Sequence, residues 1–174
     1  IYLGYKPDDK EDFTGSNAST GLAAGNSLEE AVLNGIYEWV ERDAFTLSWE
    51  CRHGNSKVDF SCSSLENYLV ESCNLGKEDV SIDIIDITKE NGIPAYLSVF
   101  QQPAEFGPSL CVGSASRLNA EDAIYKTLYE AGQSLPFFRY LMPKYKDHDW
   151  GSFENPNITT FDDHAVFYLK YPEL

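Results

Sequence analysis

Between Leu28 and Trp49 apolar residues recur at helical spacing: Leu28, Ala31, Val32, Ile36, Trp39 and Val40. That period predicts a long helix, since side chains three and four positions apart share one face. Asn26 or Ser27 can cap its first turn, and Glu29 and Glu30 complement the positive end of its dipole. The run TGLAA ahead of it reads as a strand or extended segment, joined to the helix by a turn at Gly25-Asn26-Ser27. A second helix is expected from Ser63 to the stop signal at Gly76. The pattern then changes to short β-rich runs. VSIDIIDIT (80–88) and IPAYLSVFQ (93–101) read as strands joined at Asn91-Gly92, with Pro94 at a strand start or sheet edge. SLCVGSA (109–115) reads as a third. A further helix is predicted from Asn119 to Leu135, ended or kinked by Pro136. Residues 144–157 read as loop, and ITTFDDHAVFYL (158–169) fits a helix or a strand. The polar first 18 residues read as a flexible entry segment, leaving 19–174 as one domain.

The chain also repeats itself. Shifted by 92 residues, Gly21 falls on Gly113, Ala24 on Ser116, Glu29-Glu30-Ala31 on Glu121-Asp122-Ala123, Tyr37-Glu38 on Tyr129-Glu130, and Glu41 on Gln133. A strand-turn-helix unit therefore occurs twice, and the expected fold is α+β, a mixed sheet with long helices. At about 100° per residue, Glu30, Asn34, Glu38 and Glu41 fall at about 0°, 40°, 80° and 20°, opposite the apolar set. Asp122, Lys126, Glu130 and Gln133 form the matching face of the other helix, so two polar stripes are placed to confront one another. An amphipathic helix ordinarily shows its charged face to water. Solvated faces, however, usually relieve like charges with Lys or Arg a turn away. Here only the adjacent Arg42 is close. Unrelieved carboxylates are hard ligands suited to Mg2+, which bridges one or two acids to substrate phosphates. Arg42 offers a fork to the phosphate oxygens.

Composition narrows the field. The 174 residues include 13 Lys and Arg against 28 Asp and Glu, a net charge of −15 that repels nucleic acid and anionic lipid alike. No apolar run approaches the roughly 20 residues that span a bilayer, and no targeting segment is read at the start. Cys51, Cys62, Cys73 and Cys111 form no C-x-x-C pair, and His53, His148 and His164 stand at no zinc-ligand spacing from them. Unpaired thiols fit a reducing compartment, and the expected location is the cytoplasm. The two N-x-S/T strings at Asn17 and Asn157 are short enough to arise by chance. There is no G-x-x-x-x-G-K-[ST] or G-x-G-x-x-G loop and no nucleophile elbow, so P-loop, Rossmann and triad-hydrolase chemistries find no support. His164, in FDDHAVFY, is the most interesting histidine, with Asp162 or Asp163 placed to orient it or to cap a helix.

The string TGLAAGNSLEEAVLNGIYEWVERDA, residues 20–44, closely resembles the YcaO signature, and GSASRLNAEDAI (113–124) with YEAGQS (129–134) resembles that family's second block. TFDDH (160–164) is similar to the segment beyond it, so the resemblance covers about residues 19–170. It is closest to members that install thiazoline and oxazoline rings in peptides. The resemblance implies an ATP and Mg2+ site built from helix-borne acids, with Asn26, Glu30, Arg42, Glu130 and Gln133 at nucleotide-binding positions and Glu38 and Glu41 at metal positions. No catalytic residue is assigned. The implied reaction is ATP-dependent cyclodehydration. A Cys, Ser or Thr side chain attacks the preceding amide carbon, ATP phosphorylates the resulting oxyanion, and phosphate leaves to give the azoline. Its substrate would be a ribosomally made precursor peptide, delivered by a leader-binding E1-like partner protein, and a homodimer is compatible. The same site serves two alternatives, a thioamide-forming enzyme and a noncatalytic scaffold that binds a leader peptide or partner. The family's upstream metal acids and proline-rich tail are absent from the sequence, Ala23 stands where some members carry a polar residue, and Leu135 stands where an Arg often follows the Gln. The expectation is a partial YcaO-like domain.

Overall fold

The computed structural model describes residues 19–52, 56–59, 81–101, 110–152 and 154–170. Helix α1 spans Leu28–Glu50, strands β1, β2 and β3 span Ser81–Asp86, Ala95–Gln101 and Leu110–Ser116, helix α2 spans Ala120–Leu141, and helix α3 spans Phe161–Lys170. A 3-10 turn, Met142–Tyr145, follows α2. The expected entry segment and the helix between Ser63 and Gly76 lie outside the described residues.

The three strands form an antiparallel sheet in the order β1-β2-β3, with Ile84 opposite Ser98 and Ser98 opposite Gly113. The mixed sheet expected from the repeat is thus replaced, among the described residues, by an antiparallel one. The reason lies in the first unit, where TGLAA makes a turn and an irregular run instead of a strand. Gly92, at φ +70°, closes the turn before β2, a left-handed conformation that glycine adopts freely.

Strand alternation divides the core in two. Ile84, Phe100 and Cys111 pack with Leu128 and Ala131 of α2, whereas Ile87, Ala95 and Leu97 pack with Ala44 of α1. The two helices therefore cover opposite faces of the sheet. Contact on the α2 side is close enough to need glycine: a Cβ on Gly113 would lie 2.3 Å from the Thr127 carbonyl oxygen. Helix α2 runs six residues past the predicted end, through Pro136, because Leu141 is buried beyond the proline and Phe138 packs against the core. Tertiary burial outweighs the loss of one backbone donor.

The undecided last segment is a helix, held by reciprocal capping. The Asp163 amide donates to Thr160 Oγ1 (3.1 Å), while Asp163 Oδ2 accepts from the Thr159 and Thr160 amides at 2.8 and 2.7 Å. Tyr145 donates to its other oxygen at 2.9 Å. The Thr159 amide, then the hydroxyls of Thr159, Tyr145 and Thr160, hold the Asp163 carboxyl well below its ordinary value, against the opposing effect of burial. A depressed carboxylate contributes stability that is present above its unfolded value and lost as pH falls through the folded one. Asp163→Asn is therefore expected to melt a few degrees below wild type near neutral pH, the gap closing on acidification. Melting curves across acid pH check this, and a gap that widened on acidification would contradict it. Asp163 is committed to this cap, and His164 is exposed with its ring edge-on to Tyr168. No helix among the described residues is long and apolar enough to cross a membrane.

Candidate functional site

Helix α1 turns part of its acidic side toward the sheet. Tyr37, Glu41, Ala44 and Ser48 face the sheet, whereas Leu28, Val32, Ile36 and Trp39 are exposed, Trp39 at 64%. Periodicity places the acids opposite the apolar set, and on that acidic side Glu41 is buried, Glu38 half-buried and Glu30 exposed. Glu41 is only 5% exposed. It takes a hydrogen bond from Ser114 Oγ of β3 at 2.8 Å on Oε1. Burial pushes its carboxyl above the ordinary range and the like charge of Glu130 pushes it further, while the Ser114 hydroxyl, Arg42 and Lys126 act the other way. Glu130, half-buried on α2, is paired with Lys126 one turn earlier.

The remaining predicted residues divide into two groups. Glu38 Oε2 accepts from the Gly21 amide at 3.2 Å, and Asn34 Nδ2 donates to the Ala24 carbonyl at 2.9 Å, so both fasten the TGLAA strap along α1. Gly35 makes room for it, since a Cβ there would lie 2.8 Å from the Gly21 carbonyl oxygen. At the helix start Ser27 is the cap, accepting from the Glu30 amide at 3.2 Å. Asn26 donates its amide and Nδ2 to Glu30 Oε2 at 2.6 and 3.0 Å, an exposed local pair. Arg42 and Gln133 are exposed. The two polar stripes do not confront one another directly, because β3 lies between the helices. What the fold does bring into electrostatic reach is Glu41, Glu130 and Lys126.

Ser114 escaped sequence reasoning, as did the part played by Lys126. The available signal was parity: Ser114 and Ser116 share one face of an otherwise apolar strand, and polar side chains on a buried face need partners.

The donor chemistry fits a divalent cation. Burial and the like charge of Glu130 both oppose the charge on Glu41, an opposition that a cation relieves. Among the described residues no group of three or more His, Cys, Asp or Glu is gathered to hold a metal alone. Fold and site together define an α+β protein with acids of two helices set about one strand of its sheet.

A family model described as YcaO cyclodehydratase, ATP- and Mg2+-binding, matches residues 1–173. The chain belongs to the YcaO family, whose ligands are ATP and Mg2+. It is 32% identical over 119 residues to an uncharacterized protein of Methanothermobacter thermautotrophicus, 67% of this chain and 30% of that protein. Among solved structures it is similar to the heterocyclase TruD, at 31% identity and TM-score 0.62, over 76% of this chain and 19% of that one. It is also similar to a heterocyclase in complex with substrate and cofactor, at 25% identity and TM-score 0.67, over 99% of this chain and 22% of that one. The chain thus spans less than a third of the length of each of these proteins.

Proposed function

We propose that this chain is the part of an ATP- and Mg2+-dependent peptide cyclodehydratase that carries acidic residues of its nucleotide site. The observation that carries the reading is Glu41: a carboxylate buried against β3, bonded to Ser114 and within electrostatic reach of Glu130 on the other helix. A buried acid whose charge is opposed by its surroundings is a mark of functional sites. Glu38 and Glu41 are the residues to hold Mg2+, with Asn26, Glu30, Arg42, Glu130 and Gln133 toward the nucleotide. Lys126 steadies Glu130, and exposed Arg42 is free to turn its fork to phosphate oxygen. When bound, MgATP supplies the phosphoryl group that makes the amide oxygen of a Cys, Ser or Thr peptide a good leaving group. The substrate is a ribosomally made peptide in the cytoplasm, brought by a leader-binding partner. Similarity to two heterocyclases at 31% and 25% identity supports ring formation over thioamide formation.

The test is to incubate the native full-length protein with MgATP and Cys-, Ser- or Thr-containing precursor peptides, following phosphate release and peptide mass. Loss of one water per ring, dependent on Mg2+ and abolished in Glu38→Ala, is the expected result. Unchanged turnover in Glu38→Ala would remove that residue from the site, and a protein that binds no MgATP would end the reading.

A further inference from the structure

We infer that Ser114 is a positioning residue for the metal site, fixing the Glu41 carboxylate so that one oxygen is spoken for and the other is left to a divalent ion. The inference rests on the reading of Glu41 as a Mg2+ ligand and adds a residue to it.

Three observations lead there. Ser114 Oγ donates to Glu41 Oε1 at 2.8 Å across 73 positions of sequence, tying that buried carboxylate to the sheet. The hydroxyl stands on a strand rather than a loop: Ser114 pairs with Leu97 in the β2–β3 register, so its Cα is fixed by the ladder. A rigid donor is what an ion site needs, because a ligand tied by an outer hydrogen bond keeps its orientation before the ion arrives. Finally, Glu41 stands on a helix packed against the sheet through small residues, Ala44 at 0% exposure and Ser48, so neither partner can move much without the other. A glutamate in this position, stripped of its hydroxyl partner, would retain its burial and its repulsion from Glu130 but lose the bond that aims it.

The hydroxyl also brings no charge of its own to the carboxylate. A serine donor satisfies one lone pair without adding positive charge, so the attraction of the carboxylate for a cation is undiminished. A lysine or arginine in its place would compete with the ion.

Titrating Mn2+, a spin-active stand-in for Mg2+, into the native full-length protein with ATP present, followed by electron paramagnetic resonance, separates the possibilities. Ser114→Ala is expected to bind Mn2+ about 10-fold more weakly, as loss of an outer partner of a metal ligand commonly does. Ser114→Thr, which keeps the hydroxyl on a residue suited to strands, is expected to stay within about twofold of wild type. Thermal melts without metal accompany both variants, and the weakening in Ser114→Ala is expected without a matching loss of melting temperature. Wild-type affinity in Ser114→Ala, or equal weakening in Ser114→Thr, overturns the positioning role while leaving Glu41 as a ligand. Absence of Mn2+ binding in the wild-type protein overturns the metal site itself and this inference with it.

Discussion

Glu41→Gln is expected to abolish tight MgATP binding and, in the absence of metal, to raise the melting temperature. The two effects have one origin. Glu41 is buried, and its charge is opposed both by desolvation and by Glu130. The amide keeps the shape and can still accept the Ser114 hydrogen bond, but it carries no charge to desolvate or repel. Removing an ionic strain of this kind commonly yields about 1 kcal/mol of stability where function is lost. Affinity for MgATP is expected to fall at least about 100-fold, the upper end of the loss seen when only an outer partner of a metal ligand is removed. Calorimetric titration with MgATP and melts in chelator measure the two quantities. A variant that bound MgATP normally, or that melted below wild type in chelator, would show that the buried acid is there for architecture.

Gly113→Ala is expected to be the most damaging single-methyl change in the described core. The added carbon would lie 2.3 Å from the Thr127 carbonyl oxygen and 2.5 Å from the Ala131 amide nitrogen, both backbone atoms of α2. Neither can swing aside as a side chain would, so the helix must shift as a body. That shift also breaks a buried network in which Ser98 Oγ donates to the Thr127 carbonyl at 2.9 Å and Thr127 Oγ1 donates to the Gly113 carbonyl. Overpacking against backbone with loss of buried hydrogen bonds is expected to cost about 3 kcal/mol or more. Glu130 rides on the displaced segment, so MgATP affinity should fall as well. Gly92→Ala is the matched control, with open space around its Cβ and only the positive φ to oppose it, and about 1 kcal/mol is expected there. Urea denaturation of both variants checks the contrast, and equal losses would refute the close helix–sheet contact.

Much of this architecture was legible in the chain because the relevant signals are local. The α1 helix was expected over 28–49 and is found over Leu28–Glu50, and the strands at 80–88, 93–101 and 109–115 appear as Ser81–Asp86, Ala95–Gln101 and Leu110–Ser116. Period and turn residues fix such elements without reference to the rest of the molecule. What failed depended on distant partners. Pro136 marked a helix end by local rules, yet burial of Leu141 carries the helix through it. The Thr160–Asp163 cap stood in the sequence as T-x-x-D and could have decided the last segment. A period reveals the two faces of α1, and packing decides which of them meets the sheet. For the site, the acidic stripe was visible from spacing. Ser114 was not, because its partner is 73 positions away.

Turning part of its acidic side inward leaves α1 with a greasy ridge on the outside, formed by Leu28, Val32, Ile36 and Trp39. Such a ridge is adhesive, and in dilute buffer the net charge of −15 holds neighbouring molecules apart. Added salt shortens the reach of that repulsion to about 8 Å at physiological strength while leaving the adhesion intact. Ionic strength is therefore expected to govern how this chain associates, with light scattering rising as salt is added.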